Sequence, residues 1–160
     1  MKNILVLVEG ETEKKLVNSL NIVGKIQIIN LWEKPVVKII PRIKEQLVLI
    51  VFDTDILKNI ELFKKNLQTL QQYKVNFYLL QQTNNLEDEL ITCSNCRKIQ
   101  EVFSTQGVKE FKSQWLKCQN LDKKLLDINF QPNQLWTRDI ILPLEAWKNN
   151  KKSFKDLSLK

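Results

Sequence analysis

The sequence predicts an α/β domain, a parallel sheet flanked by helices, followed by a basic, helical C-terminal extension. Two apolar runs, Asn3–Val8 and Leu47–Phe52, are short, rich in β-branched residues and uninterrupted by polar positions, as in strands buried on both faces. Segments with apolar residues at helical spacing follow them. Strand and helix then alternate over residues 1–92, the pattern of a sheet with helices on its faces, whereas residues 93–160 show helical patterns only.

The first run ends at Gly10, expected to let the backbone turn sharply, and Thr12–Leu20 carries Leu16, Val17 and Leu20 on one helical face. Lys25–Ile29 is a second strand. Pro35 and Pro41 punctuate the next stretch, which fits a short extended piece and a single helical turn. Leu47–Phe52 is the strongest strand, and a long amphipathic helix is expected over Ile56–Tyr73, with Ile56, Ile60, Phe63, Leu67 and Leu70 aligned. Val75–Leu80 is a fourth strand; a polar loop and the helical LEDELITC follow. Further helices are expected at Ile99–Phe103, Val108–Cys118, Leu121–Leu126 and Pro143–Lys148.

Composition narrows the chemistry. The longest wholly apolar run, LVLIVF, is far shorter than the ~20 residues of a membrane span. The N-terminus is too soon charged for a secretory signal, and three cysteines give no disulfide framework, so reduced thiols and a cytoplasmic protein are expected. The net charge of +7 is uneven: Arg97–Lys124 holds seven basic and three acidic side chains, and Lys148–Lys160 five and one. A basic C-terminal half suits a polyanion, and Lys109, Lys112 and Lys117 are the candidate nucleic-acid contacts. With no histidine, Ser-His-Asp, Cys-His and histidine-metal chemistry are excluded. With three glycines, at 10, 24 and 107, so are a P-loop and a GxGxxG turn. Catalysis must use carboxylates, lysines, or a metal they hold.

The carboxylates are placed for that. Glu9 leaves the first strand, Asp53 and Asp55 leave the third, and Glu87 follows the fourth; in a parallel sheet all collect at one edge, where crevices form. Glu13, in the first helical turn, can reach the same edge. Such a cluster repels itself strongly at low effective dielectric, and a divalent cation removes the repulsion. Oxygen-only donors suit Mg²⁺ or Mn²⁺, so metal-assisted phosphodiester chemistry is expected. Glu11 fits a dipole-stabilising, water-facing role, and Asp55 also suits a helix N-cap.

LVLVEGETEKKL followed by VLIVFDTD resembles the Toprim domain, whose signature is a Glu-Gly turn after the first strand and an Asp-x-Asp after a later one. The VEGxTE wording, with Glu9, Gly10, Thr12 and Glu13, is most similar to OLD-like and small stand-alone Toprim nucleases of phage-defence systems, over residues 2–90. The resemblance implies a Rossmann-like parallel sheet and a nuclease acting on DNA or structured RNA such as tRNA. It implies general acid or base work for Glu9, with Asp53 and Asp55 as further catalytic residues, and Mg²⁺ or Mn²⁺ held among Glu9, Glu13, Asp53, Asp55 and Glu87. A later lysine often assists, and Lys109 and Lys112 are candidates. It also implies a defence or toxin-like role, with a separate ATPase or other subunit as partner. One departure stands out: DTDILKN lacks the glycine many members carry after Asp-x-Asp, so this turn must be made differently. No tyrosine-nucleophile or primase zinc module accompanies the motif.

Competing readings remain. VFDTDILKN also resembles the start of haloacid-dehalogenase phosphatases, with Asp53 as nucleophile, although there this strand usually comes first. Glu110 and Lys112 form a Glu-x-Lys pair, but on an expected helix rather than beside a strand. A non-catalytic nucleic-acid- or partner-binding module is a third class. Cys93, Cys96 and Cys118 fall one ligand short of a structural zinc site. Trp115, Trp136 and Trp147 are expected to be packing anchors before base-stacking platforms.

Overall fold

The computed structural model describes residues 2–157; Met1 and residues 158–160, including Lys160 of the C-terminal charge run, lie outside the described residues. Four strands, β1 (Ile4–Val8), β2 (Lys25–Ile28), β3 (Leu47–Asp53) and β4 (Asn76–Gln82), form an all-parallel sheet in the order β2-β1-β3-β4. With helices on both faces, this is a Rossmann-like α/β arrangement.

The unbroken apolar runs are explained by two cores, one on each side of the sheet. Val6, Val8, Leu49, Val51 and Leu80 face one core; Leu5, Leu7, Val48, Ile50 and Phe52 face the other. This is the period-two alternation of a strand with both sides covered. The first core takes Leu16 and Val17 of α1 (Glu11–Ser19) and Leu86 and Leu90 of α4 (Leu86–Thr92). The second takes Ile40 and Ile43 of the short α2 (Ile40–Ile43) and Phe63, Leu67 and Leu70 of α3 (Ile60–Gln72).

The strand order dictates this division. After β1 the chain moves outward to β2, and after β3 it moves outward the other way to β4. Right-handed crossovers in opposite directions place their helices on opposite faces. The directions diverge between β1 and β3, so a crevice opens beyond the carboxyl ends of these strands.

The segment after α4 is shared between the cores rather than set apart. Phe111 and Trp115 of α5 (Val108–Lys117), with Leu121 and Leu125 of α6 (Leu121–Asp127), complete the first core; Leu144 and Trp147 enter the second. The chain end then covers the outer edge of β4: Lys152 N–H donates to Leu79 O at 2.9 Å and Asn150 Nδ2 to Phe77 O at 3.1 Å. Covering this edge removes a template for unwanted strand pairing. Trp115, Trp136 and Trp147 are all buried, the first two completely, so they are packing anchors.

Several boundaries differ from the sequence expectation. The helix foreseen from Ile56 starts at Ile60, because Leu57–Ile60 closes a tight turn and Ile56 points to solvent at 67% exposure. Strand β4 runs on through two polar residues, Gln81 and Gln82, both fully buried. Ile99–Val102 and Leu142–Asn150 are 3₁₀ rather than α-helical, the latter kinked at Trp147. Among the described residues no helix is long and apolar enough to cross a membrane.

Candidate functional site

The crevice beyond β1 and β3 is built by two carboxylates that the strands deliver side by side. Glu9 is the first residue past β1 and Asp53 the last of β3, and the Asp53 backbone N–H donates to Glu9 Oε2 at 2.7 Å. Gln82, at the end of β4, donates from Nε2 to Asp53 Oδ1 at 2.6 Å. Trp32 donates from its indole nitrogen to the Asp53 carbonyl at 3.1 Å. Asp53 is thereby held from three elements while keeping one carboxylate oxygen outside these bonds.

Gly10 serves a different purpose from the one expected. Its backbone is extended (φ −162°, ψ −172°), which any residue adopts, so no glycine-only turn is made. An added Cβ would instead lie 3.3 Å from Glu13 Oε2, crowding the buried Glu13 carboxylate, which also accepts from Thr12 Oγ1 at 3.0 Å. The glycine makes room for an acid.

The turn after Asp-x-Asp, which lacks the usual glycine, is braced by the β4 loop. The N–H groups of Thr54 and Asp55 both donate to Asn84 O at 2.9 Å, and Asn84 N–H returns a bond to Thr54 Oγ1 at 2.8 Å. Asn84 itself sits at φ +65°, a conformation asparagine tolerates. Next to it Asn85 caps α4 by accepting from Asp88 N–H at 3.0 Å and reaches Asp55 Oδ2 at 3.4 Å.

Electrostatics tie the acids into one group. Burial, then the charge of Asp53, with smaller pushes from Glu13 and Asp55, raises the Glu9 carboxyl to about 8. Burial raises Asp53 to about 7 against the Gln82 hydrogen bond, with further pushes from Glu13, Asp55 and Glu87. Two neighbouring carboxyls displaced upward in one crevice mark a candidate functional site. Burial alone also raises carboxyls in structural roles: Glu89, 1% exposed, is raised by burial but is consumed as a clasp, accepting from Thr83 N–H at 3.3 Å and Trp136 N–H at 3.1 Å.

The structure therefore brings Glu9, Glu13, Asp53, Asp55 and Glu87 to one edge, with Asp55 exposed and the other four buried or half-buried. Lys112 joins them from α5: its Nζ lies 3.5 Å from Glu87 Oε1, a buried oxygen that has no hydrogen bond of good geometry. Lys109 and Lys117 are exposed elsewhere on α5 and line neither cleft beside the acids. Glu110 shares helix α5 with Lys112 but lines neither cleft, its Oε2 accepting from Gln106 N–H at 2.8 Å, so the two do not form a Glu-x-Lys pair at the site. Cys93 is buried, and burial pushes its thiol up to about 12, an unreactive state.

Two open clefts flank the pair. One, about 650 Å³, is lined by Asp53, Asp55, Glu87, Asp88, Arg97 and Lys98 among others. The other, about 460 Å³, is lined by Glu9, Trp32, Asp53, Asp55 and Lys58. Lys112 borders both. Among the described residues no three acidic or cysteine side chains are gathered tightly enough to hold an ion as they stand. The donor chemistry nonetheless fits a hard cation: oxygen ligands only, two carboxyls lacking compensating charge, and the Glu87 Oε1 without a hydrogen bond.

Sequence reasoning missed Gln82, Trp32 and Asn84. The only signal for Gln82 was a polar pair ending an apolar strand; Trp32 reaches a distant backbone carbonyl through its indole and Asn84 acts through its own backbone, and neither left one. Comparison with protein-family models, with curated proteins and with solved structures finds no match.

Proposed function

We propose that the chain is a Toprim-type nuclease that hydrolyses phosphodiester bonds with Mg²⁺ or Mn²⁺. The observation that carries the reading is the pairing of Glu9 and Asp53 at the point where the strand order diverges, both carboxyls raised and both opening onto clefts that also hold Asp55 and Lys112. A parallel sheet binds its ligand at that point.

Asp53, Asp55, Glu13 and Glu87 would hold the cation, with Glu9 beside it; their side chains must rotate inward from their present positions to do so. When bound, such a cation polarises the phosphate and stabilises the attacking and leaving oxygens. The protein supplies the rest. Glu9, whose carboxyl burial and the charge of Asp53 raise in the absence of a cation, suits general acid or base work at the scissile phosphate. Its Oε2 is engaged by Asp53 N–H, which leaves Oε1 for the substrate or a water. Gln82 fixes the Asp53 carboxylate by one oxygen, and Lys112 offers its ammonium to phosphate oxygens along both clefts.

The test incubates the protein with DNA and with structured RNA in Mg²⁺, Mn²⁺ or EDTA, beside Glu9→Gln and Asp53→Asn. Cleavage that needs metal and is lost in both variants is the expected result. Nucleic-acid binding without cleavage under any condition overturns the reading in favour of a binding module. Phosphate release from small phosphoesters, with polymers left intact, overturns it in favour of a phosphatase using Asp53 as nucleophile.

A further inference from the structure

The larger cleft carries both signs of charge. Asp53, Asp55, Glu87 and Asp88 line it, and so do Arg97 and Lys98, neither of them among the nucleic-acid contacts expected from the sequence. Both side chains are exposed and make no ion pair or hydrogen bond with any described residue. Their backbone, in contrast, is braced: Asn95 N–H donates to Ile128 O at 2.9 Å and Arg97 N–H to Glu101 Oε2 at 3.0 Å. Two uncommitted cations on a fixed turn, with Lys112 lining the same cleft beside Glu87, make a seat for successive anionic groups. Ile91, half-buried, and Val108, 46% exposed on the leading turn of α5, add apolar surface to the lining, whereas Ile99 is buried in the core beneath it.

We infer that this cleft seats one unpaired nucleic-acid strand, with its backbone phosphates against Arg97, Lys98 and Lys112 and its bases on the apolar surface of Ile91 and Val108. The inference rests on the nuclease reading and names the form of its substrate. A cavity of about 650 Å³ lies within the ~300–1,000 Å³ of a single small-ligand site, enough for a nucleotide or two. A duplex keeps its base faces stacked inside the helix, so only an unpaired strand can lay bases on the apolar surface of the cleft. No aromatic side chain lines the cleft, so strong base stacking is absent and recognition falls on the backbone, with little sequence preference. A duplex substrate would therefore be cut only where a strand is already splayed, as in a loop, a bulge or a frayed end.

Fluorescence anisotropy of a short labelled oligothymidylate, its ribose counterpart oligouridylate and a blunt duplex, titrated in EDTA, reads binding without metal-dependent turnover. Both single strands should bind tighter than the duplex. The double variant Arg97→Ala/Lys98→Ala should weaken them about tenfold or more and flatten the log–log salt dependence by about 1.4, at ~0.7 for each phosphate no longer neutralised. Val108→Glu should weaken them as well, whereas Lys44→Ala/Lys74→Ala, on a cleft that shares no residue with this one, should not. Equal affinity for duplex, or wild-type binding by the Arg97→Ala/Lys98→Ala protein, overturns the inference. Its failure is separable from that of the nuclease reading. Strand binding through Arg97 and Lys98 without metal-dependent cleavage refutes the nuclease alone, and cleavage unchanged in the double variant refutes the seat alone.

Discussion

The backbone N–H of Asp53 donates to the Glu9 carboxylate at 2.7 Å, so the ends of β3 and β1 are joined by the side chain on which the proposed chemistry depends. The bond holds Glu9 at the crevice, yet it is a single neutral donor set against burial and the charges of Asp53, Glu13 and Asp55. It lowers the Glu9 carboxyl only partly, and the balance leaves it at about 8. The site is therefore built at a cost in stability, recovered when positive charge enters.

Replacing Glu9 by Gln keeps an oxygen for the Asp53 N–H and removes the buried acid. Metal-dependent cleavage should fall ~10²–10⁴-fold, the usual contribution of a positioned acid or base. The melting temperature in EDTA near pH 8 should hold or rise. A variant that loses activity by unfolding would instead melt lower, so calorimetry beside a cleavage assay separates the two.

Stability in EDTA should fall as pH rises. Folding raises Glu9 from 4.5 to about 8 and Asp53 from 3.8 to about 7, so between these limits the native state keeps protons that the unfolded chain has released. The stabilisation is complete below the ordinary values and lost as pH passes the raised ones. Burial moves Glu89 in the same direction, so the comparison of wild type with Glu9→Gln isolates the site. Melting curves across this range should flatten in the variant, and flatten in the wild type when Mg²⁺ is added. A wild type whose melting temperature climbs steadily with pH contradicts the assignment.

Gln82→Leu removes the donor to Asp53 Oδ1 with little change in side-chain bulk. Because that bond favours the charged carboxylate, Asp53 should titrate higher still. The acid limb of the pH–activity profile should move to higher pH, and activity near neutrality should drop roughly 10- to 100-fold, the worth of ~1.5–3 kcal/mol for a hydrogen bond to a charged group. A profile unchanged in position would show that Gln82 is only packed there.

Asn66→Ala tests the scaffold rather than the chemistry. The Asn66 amide, 2% exposed, accepts from Val36 N–H at 2.8 Å and donates to Leu31 O at 2.8 Å and Lys34 O at 2.9 Å, clamping the loop that carries Trp32. Leaving these groups unpaired should cost ~2–4 kcal/mol, about 5–15 °C in melting temperature. Cleavage at a temperature where the variant remains folded should change far less than in Glu9→Gln.

Much of the scaffold was legible from local pattern. Apolar runs unbroken by polar residues announced strands covered on both faces, and the placement of Glu9, Asp53 and Glu87 just past them was visible because a strand's end marks where its last side chain goes. The first turn of α3 misled: Ile56 keeps the helical period, yet it faces solvent, because periodicity records which residues could share a face and not which face finds a neighbour. Gly10 misled similarly, since a glycine in sequence does not say whether it serves its own backbone or, as here, the space of Glu13.

Local pattern carried the alternating α/β order, the strands, the edge at which the acids gather and the residue types available for chemistry, because these depend on interactions within a few residues. Long-range packing settled that Glu89 is a clasp while Glu87 faces the cleft, and that Lys112 rather than Lys109 or Lys117 stands beside the acids. It also decided that Gln82, Trp32 and Asn84 hold the turn. Those outcomes follow from strand order and from which face each helix packs on, interactions between residues far apart in the chain, and no local pattern encodes them.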